Sequence, residues 1–152
     1  MNYSFELTDS KEQPVLSVRT RTAVANLQAE MGEAYGAIYP YLGEKGAQPA
    51  GAPYAAYYNM DMQDLDVEIG IPVAVPLTGR GIVKAGVIPA GKQASCVYKG
   101  SYAEIGPAYE ALTKWIADNG HVPTGVCYEF YLNEPGAVPD SELLTKIVYL
   151  LH

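Results

Sequence analysis

Gly46-Ala47-Gln48-Pro49-Ala50-Gly51 and Gly120-His121-Val122-Pro123-Thr124-Gly125 carry glycine, proline and glycine at the same three places, 74 positions apart (120 − 46). Working outward at that offset, Tyr35 pairs with Tyr109, Leu42 with Ile116, Tyr54 with Tyr128, Tyr57 with Tyr131 and Asn59 with Asn133. An offset that stays constant from mid-helix through the next strand marks an internal repeat. After Asn133 the second copy carries four more residues in its turn, so that Ile69 pairs with Ile147 at an offset of 78 (147 − 69).

The repeat predicts the elements. Ser4–Thr8 and Val15–Thr20 read as short strands separated by the charged stretch 9–13 and Pro14. Leu27, Met31, Tyr35, Ile38 and Leu42 recur at helical spacing, with Pro40 predicting a kinked or irregular last turn and Gly43 and Gly46 as stops. Strands follow at 54–59 and 66–73, the latter alternating Val67, Ile69, Ile71 and Val73 with smaller or polar residues. The stretch 78–81 is the expected boundary. Beyond it, strands are expected at 82–88 and 93–99, then a helix with Ser101 as cap, Glu104 at the capping-box spacing and Tyr102, Ile105, Tyr109, Leu112 and Ile116 on its inner face. Strands at 128–132 and 143–151 complete the second copy. The chain therefore reads as one α+β domain over 1–152. It holds two β-α-β-β repeats, about 1–78 and 79–152, with antiparallel sheets and two main helices. One such unit buries little core alone, so the two are expected to pair about a pseudo-twofold axis with a ligand cleft between them.

Composition narrows the function. Of 152 residues 49% are apolar and 18% charged, a globular balance. No run approaches the ~20 apolar residues of a membrane helix, and the N-terminus has no signal-peptide pattern, so the expected location is the cytoplasm. Cys96 and Cys127 form no paired motif, and His121 and His152 are isolated, which predicts neither metal nor cofactor. A net charge of −7 with scattered Lys and Arg argues against direct nucleic-acid binding. Thirteen tyrosines against two phenylalanines and one tryptophan offer rigid rings with polar tips, suited to a partly wet aromatic pocket.

Glu129 is the leading site candidate. Alternation puts it with Cys127 and Tyr131 on one face of an apolar strand, where a carboxylate is costly unless paired. The competing reading is an edge-strand glutamate pointing at solvent. Ala55 stands at its place in the first repeat, which predicts one acid rather than two. Tyr57 and Tyr131 are a repeat-related pair whose rings suit a flat ligand, with stacking and cation–π contact each contributing on the order of 1 kcal/mol, or else serve packing alone. Tyr109 lies on the inward stripe and is at least half core. Trp115 lies just off it. Tyr35, Tyr39, Tyr41 and Met31 are further candidates on the first helix, though each taken alone is more often a core residue than a ligand contact. The residues hold no Ser-His-Asp or Cys-His constellation.

Tyr128-Glu129-Phe130-Tyr131-Leu132-Asn133-Glu134-Pro135, with Pro139, Glu142-Leu143, Thr145 and Ile147 after it, resembles the signature of GyrI-like small-molecule-binding domains, also called effector-binding domains of AraC- and MerR-type regulators. Gly100-Ser101-Tyr102, Tyr109-Glu110-Ala111-Leu112, Trp115-Ile116 and Asn119-Gly120 resemble the helix before that signature. The resemblance covers essentially the whole chain, is more specific in its C-terminal half, and makes each repeat an SHS2 module. It implies a pocket for flat, often cationic, aromatic compounds, a ligand-contacting carboxylate at Glu129 and a pocket role for Trp115. Regulators of this family fuse the domain to a DNA-binding helix-turn-helix, for which the repeat leaves no room here, so the expectation is a stand-alone member.

Three functions follow in order of expectation. The first is a multidrug-type binding protein for cationic or hydrophobic aromatic compounds, acting in sequestration or sensing. The second is a hydrolase of cyclopropane-bearing, DNA-alkylating compounds, with Glu129 and Tyr131 catalytic. The third is an inhibitor of DNA gyrase or a binder of another protein partner. The sequence does not name the ligand.

Overall fold

The computed structural model describes residues 3–152. In chain order the elements are β1 (Phe5–Ser10), β2 (Gln13–Thr22), α1 (Leu27–Glu44), β3 (Tyr54–Tyr57), β4 (Leu65–Pro72), β5 (Lys84–Ile88), β6 (Gly91–Lys99), α2 (Gly106–Asp118), β7 (Pro123–Tyr131) and β8 (Leu144–Leu151). The class is α+β, with antiparallel strands and two main helices, as the sequence predicts. Two compact units form: Lys11–Ala90, and the segment through Ser10 together with Gly91–His152.

In the Lys11–Ala90 unit the strand order is β3-β4-β2-β5, and in the other it is β1-β6-β8-β7. Each contains the expected strand-helix-strand-strand run plus a fourth strand from elsewhere in the chain. The segment read as opening the second repeat, 82–88, instead supplies β5, which pairs with β2 from Gln13↔Ile88 to Ser17↔Lys84. β1, read as part of the first repeat, pairs with β6 from Phe5↔Cys96 to Ser10↔Gly91. The physical reason is the open backbone edge of the first strand in a three-stranded β-α-β-β sheet, which another strand can satisfy.

The repeat is visible in local chemistry. Each helix ends in a Schellman motif: Gly46 and Gly120 adopt φ of 62° and 76°, and the next N–H reaches back, Ala47 to the Leu42 carbonyl at 2.9 Å and His121 to the Ile116 carbonyl at 3.0 Å. Each β-hairpin is clamped by an asparagine. Asn59 Nδ2 donates to the Asp64 carbonyl and its Oδ1 accepts from Asp66 N–H. Asn133 does the same with the Glu142 carbonyl and Leu144 N–H.

Pro40 sits inside α1, which continues to Glu44. Pro40 and Gly36, the residue whose carbonyl loses its partner, are both exposed, so water can satisfy that carbonyl. α2 starts later than its sequence pattern predicts. Ser101 Oγ accepts from Ala103 N–H and caps a separate 3₁₀ turn, 102–104, and the helix proper opens at Gly106 with Pro107 in its first turn. In one core, Leu16, Ile38, Tyr41, Leu42, Ile71, Val73 and Val83 pack between α1 and its sheet. In the other unit, Ala108, Leu112 and Ile116 of α2 are buried with Ala94, Cys96, Tyr98, Cys127 and Ile147 of the sheet.

Two predictions test this packing. Gly70 lies opposite Tyr54, and an added Cβ would stand 2.5 Å from the Tyr54 hydroxyl and 2.9 Å from the Leu16 carbonyl oxygen. Gly70→Ala is expected to destabilise by roughly 1–3 kcal/mol in urea unfolding, whereas Gly32→Ala, in open space on α1, should stabilise by roughly 0.5–1 kcal/mol. Equal effects of one sign would contradict the close approach. Burial also pushes the thiols of Cys96 and Cys127 up to about 11 and about 12. Both stay protonated at pH 8.5, so iodoacetamide should label neither in the native protein and both in urea. Because the unfolded chain releases these thiol protons first, their contribution to stability is complete below about pH 9 and is lost as pH rises toward those values.

Candidate functional site

The pleat of β7 decides which side chains meet. Cys127, Glu129 and Tyr131 lie opposite Tyr149, Ile147 and Thr145 of β8, on the face toward α2. Tyr128 and Phe130 take the other face and stack with centroids 6.0 Å apart. Glu129 is half-buried in this apolar surface. Its Oε1 accepts from the Tyr131 hydroxyl at 2.9 Å, and its Oε2 accepts from the hydroxyl of Tyr109, on the edge of the buried stripe of α2.

More rings surround this pair of bonds. Tyr102 meets Tyr131 edge-on with centroids 5.8 Å apart, and Tyr149 meets Tyr109 edge-on at 6.2 Å. The charge of Glu129 is felt throughout. Burial foremost, then the Glu129 carboxylate, raises the Tyr102 hydroxyl. Burial foremost also raises Tyr149 and the Cys127 thiol, with Glu129 adding to both, while the neighbouring Thr113 and Tyr109 side chains respectively pull the other way.

The structure thus brings Glu129, Tyr131 and Tyr109 together. Trp115, six residues beyond Tyr109 on α2, stacks on Phe5 of β1 at 5.4 Å. The remaining candidates belong to the Lys11–Ala90 unit. Tyr35 and Tyr39 face each other on α1 with centroids 6.0 Å apart, Tyr39 being exposed. Met31 is half-buried on the same helix, and Tyr57 is half-buried at the end of β3. Tyr41 is buried and donates to the Thr78 carbonyl at 2.5 Å. The repeat-related pair Tyr35 and Tyr109 shows what the single acid changes. With Ala55 in place of a glutamate, the Tyr35 hydroxyl donates instead to the backbone carbonyl of Tyr54 at 2.9 Å.

Sequence reasoning did not bring Tyr102 and Tyr149 to the tyrosines around Glu129. It also missed a second glutamate held by tyrosines. Glu68 on β4 accepts from Tyr54 at 2.5 Å and from Tyr58 at 2.9 Å. Here a cation is already in place: the Arg19 guanidinium sits 3.7 Å above the Tyr58 ring and forks onto Asp66 at 2.6 and 2.9 Å. The hydrogen bonds of Arg19 and Arg21 hold the carboxyls of Asp66 and Asp64 below the usual range. The alternation of β4 signals Glu68's face, but nothing local signals Arg19. Among the described residues no His, Cys, Asp and Glu group is arranged to hold a metal ion, and no helix is long and apolar enough to cross a membrane.

Among solved structures, the EcmrR C-terminal domain is similar at a TM-score of 0.79 with 23% identity, covering 100% of this chain and 99% of that one. EcmrR in its DNA complex gives 0.79 and 22%, covering 99% of this chain, which spans 57% of the EcmrR chain there. SAV2435 bound to tetraphenylphosphonium gives 0.56 and 12%, covering 100% and 94%. At these identities the likeness is one of fold. No curated relative matches the sequence. Residues 3–151 match the family described as GyrI-like small molecule binding domain, and the chain belongs to that family.

Proposed function

We propose that this small-molecule-binding domain takes up cationic or hydrophobic aromatic compounds at Glu129, and that it sequesters or senses them. The observation that carries this reading is the half-buried Glu129 carboxylate, fixed by the hydroxyls of Tyr109 and Tyr131 with further tyrosine rings beside them. A carboxylate in a partly desolvated place attracts a cation more strongly than one in water. The negative faces of the rings add roughly 0.5–2 kcal/mol for each cation they meet. A net charge of −7 favours approach of the same class of ligand. That SAV2435, a protein of similar fold, is bound to tetraphenylphosphonium is consistent with this.

Binding rather than turnover fits the way the tyrosine protons are placed. Both hydroxyls point their protons at Glu129, which steadies the anion and leaves those protons engaged. The expected ligand is therefore a bulky lipophilic cation, with Glu129 as its counter-ion and Tyr109, Tyr131 and Tyr102 as its aromatic contacts.

Titration of tetraphenylphosphonium into the protein, followed by calorimetry at two salt concentrations, tests this. One-to-one saturation is expected. Glu129→Gln keeps the shape and removes the charge, and should weaken binding about tenfold or more, a loss of about 1.4 kcal/mol. Much of the loss should persist at the higher salt, because a partly buried pair is screened less than a surface one. Equal affinity of wild type and Glu129→Gln would remove Glu129 from the reading.

A further inference from the structure

Thr145 is fully buried, and among the described residues its Oγ1 is the buried side-chain atom with no hydrogen-bond partner. Its place on β8 is directly opposite Tyr131 on one side and Tyr98 on the other, and the next residue on its face, Ile147, is opposite Glu129. The hydroxyls beside it are directed elsewhere. Tyr98 donates to the Ser101 carbonyl at 2.7 Å, and Tyr131 donates to Glu129. Valine has the same branched shape, suits a buried strand equally well and leaves no polar atom without a partner. A hydroxyl at such a position calls for a partner that the described residues do not supply.

We infer that Thr145 is a polar anchor of the Glu129 site, and that it selects cationic aromatic ligands bearing a hydroxyl or carbonyl group. The inference rests on the reading of Glu129 as the ligand's counter-ion. A threonine hydroxyl offers one donor and two acceptor lone pairs, so it serves either kind of group. Opposite and diagonal neighbours in an antiparallel pair stand roughly 5 and 7–8 Å apart. Tyr131, opposite Thr145 and half-buried, is its cross-strand neighbour on the face that carries Glu129. Selection of this kind is sharp, because a ligand lacking the group leaves a buried polar atom unpaired.

The test compares two probes, tetraphenylphosphonium and its mono-4-hydroxyphenyl analogue, on wild type, Thr145→Val and Thr145→Ser. Wild type is expected to prefer the hydroxylated probe by about fivefold or more, the worth of one net hydrogen bond. Thr145→Val should lose the preference, still bind tetraphenylphosphonium and, unliganded, melt at a higher temperature than wild type. Thr145→Ser should retain the preference. If wild type shows no preference, or Thr145→Val keeps it, the inference fails while binding of tetraphenylphosphonium leaves the Glu129 reading standing. A lower melting temperature or loss of folding in Thr145→Val would show that the hydroxyl has an internal partner, which also overturns it. If neither probe binds wild type, the Glu129 reading fails and this inference falls with it.

Discussion

A carboxylate placed on the inward face of an apolar sheet has to find hydrogen-bond donors, and the second unit is organised around that requirement. Glu129 shares its face with Cys127 and Tyr131, opposite the buried Ile147 and Tyr149. Left unsatisfied there it would cost several kcal/mol. Tyrosine meets the need without giving up core, since its ring packs while its hydroxyl reaches the acid. One donor comes from the same strand, two residues on, and the other from the helix laid across the sheet. The second bond ties the rotation of α2 to the pleat of β7: Leu112 and Ile116 are buried while Tyr109 stands at the rim of the buried stripe.

The two halves of the chain show how little separates scaffold from site. Both helices end in the same glycine-centred cap, both hairpins close on an asparagine, and Tyr35 and Tyr109 occupy the same place. Ala55 against Glu129 is the difference that turns one tyrosine toward a backbone carbonyl and the other toward an acid. Glu68 supplies an internal comparison. It too receives two tyrosine hydroxyls, yet Arg19 lies on one of the rings and forks onto Asp66 two residues away on the strand. A glutamate with two tyrosines is thus a structural unit when the chain brings its own cation. Much of the tyrosine excess is structural in the same sense: Tyr41 holds the Thr78 carbonyl and Tyr98 the Ser101 carbonyl.

Features set by local period were legible in the sequence. Ile38 and Leu42 on the helical stripe are buried, the glycines at the offset of 74 form the helix caps, and alternation placed Glu129 with Tyr131 and away from Phe130. Features set by distant partners were not. The sequence at 82–88 says strand, but its pairing with β2 is a matter of which backbone edge is open, and periodicity carries no such information. Trp115 finds Phe5 more than a hundred positions away. Tyr102 continued the helical spacing of Ile105 and Tyr109, but Gly106 and Pro107 start the helix after it and leave Tyr102 in a 3₁₀ turn, from which its ring meets Tyr131.

The four extra residues in the second hairpin raise a question of register, because a slip of one residue would carry Glu129 to the opposite face of the sheet. Asn133 answers it. Its side chain bridges the mouth of the hairpin, donating to the Glu142 carbonyl and accepting from Leu144 N–H, as Asn59 does in the shorter turn. The turn can therefore lengthen outside the clamp while the strands inside it keep Tyr131 against Thr145 and Glu129 against Ile147. This places the acid and its tyrosine on a hydrogen-bonded ladder instead of on a loop, where little further ordering is needed to hold them. The asparagine, which touches neither Glu129 nor its tyrosines through these bonds, sets the site by fixing which residues face one another.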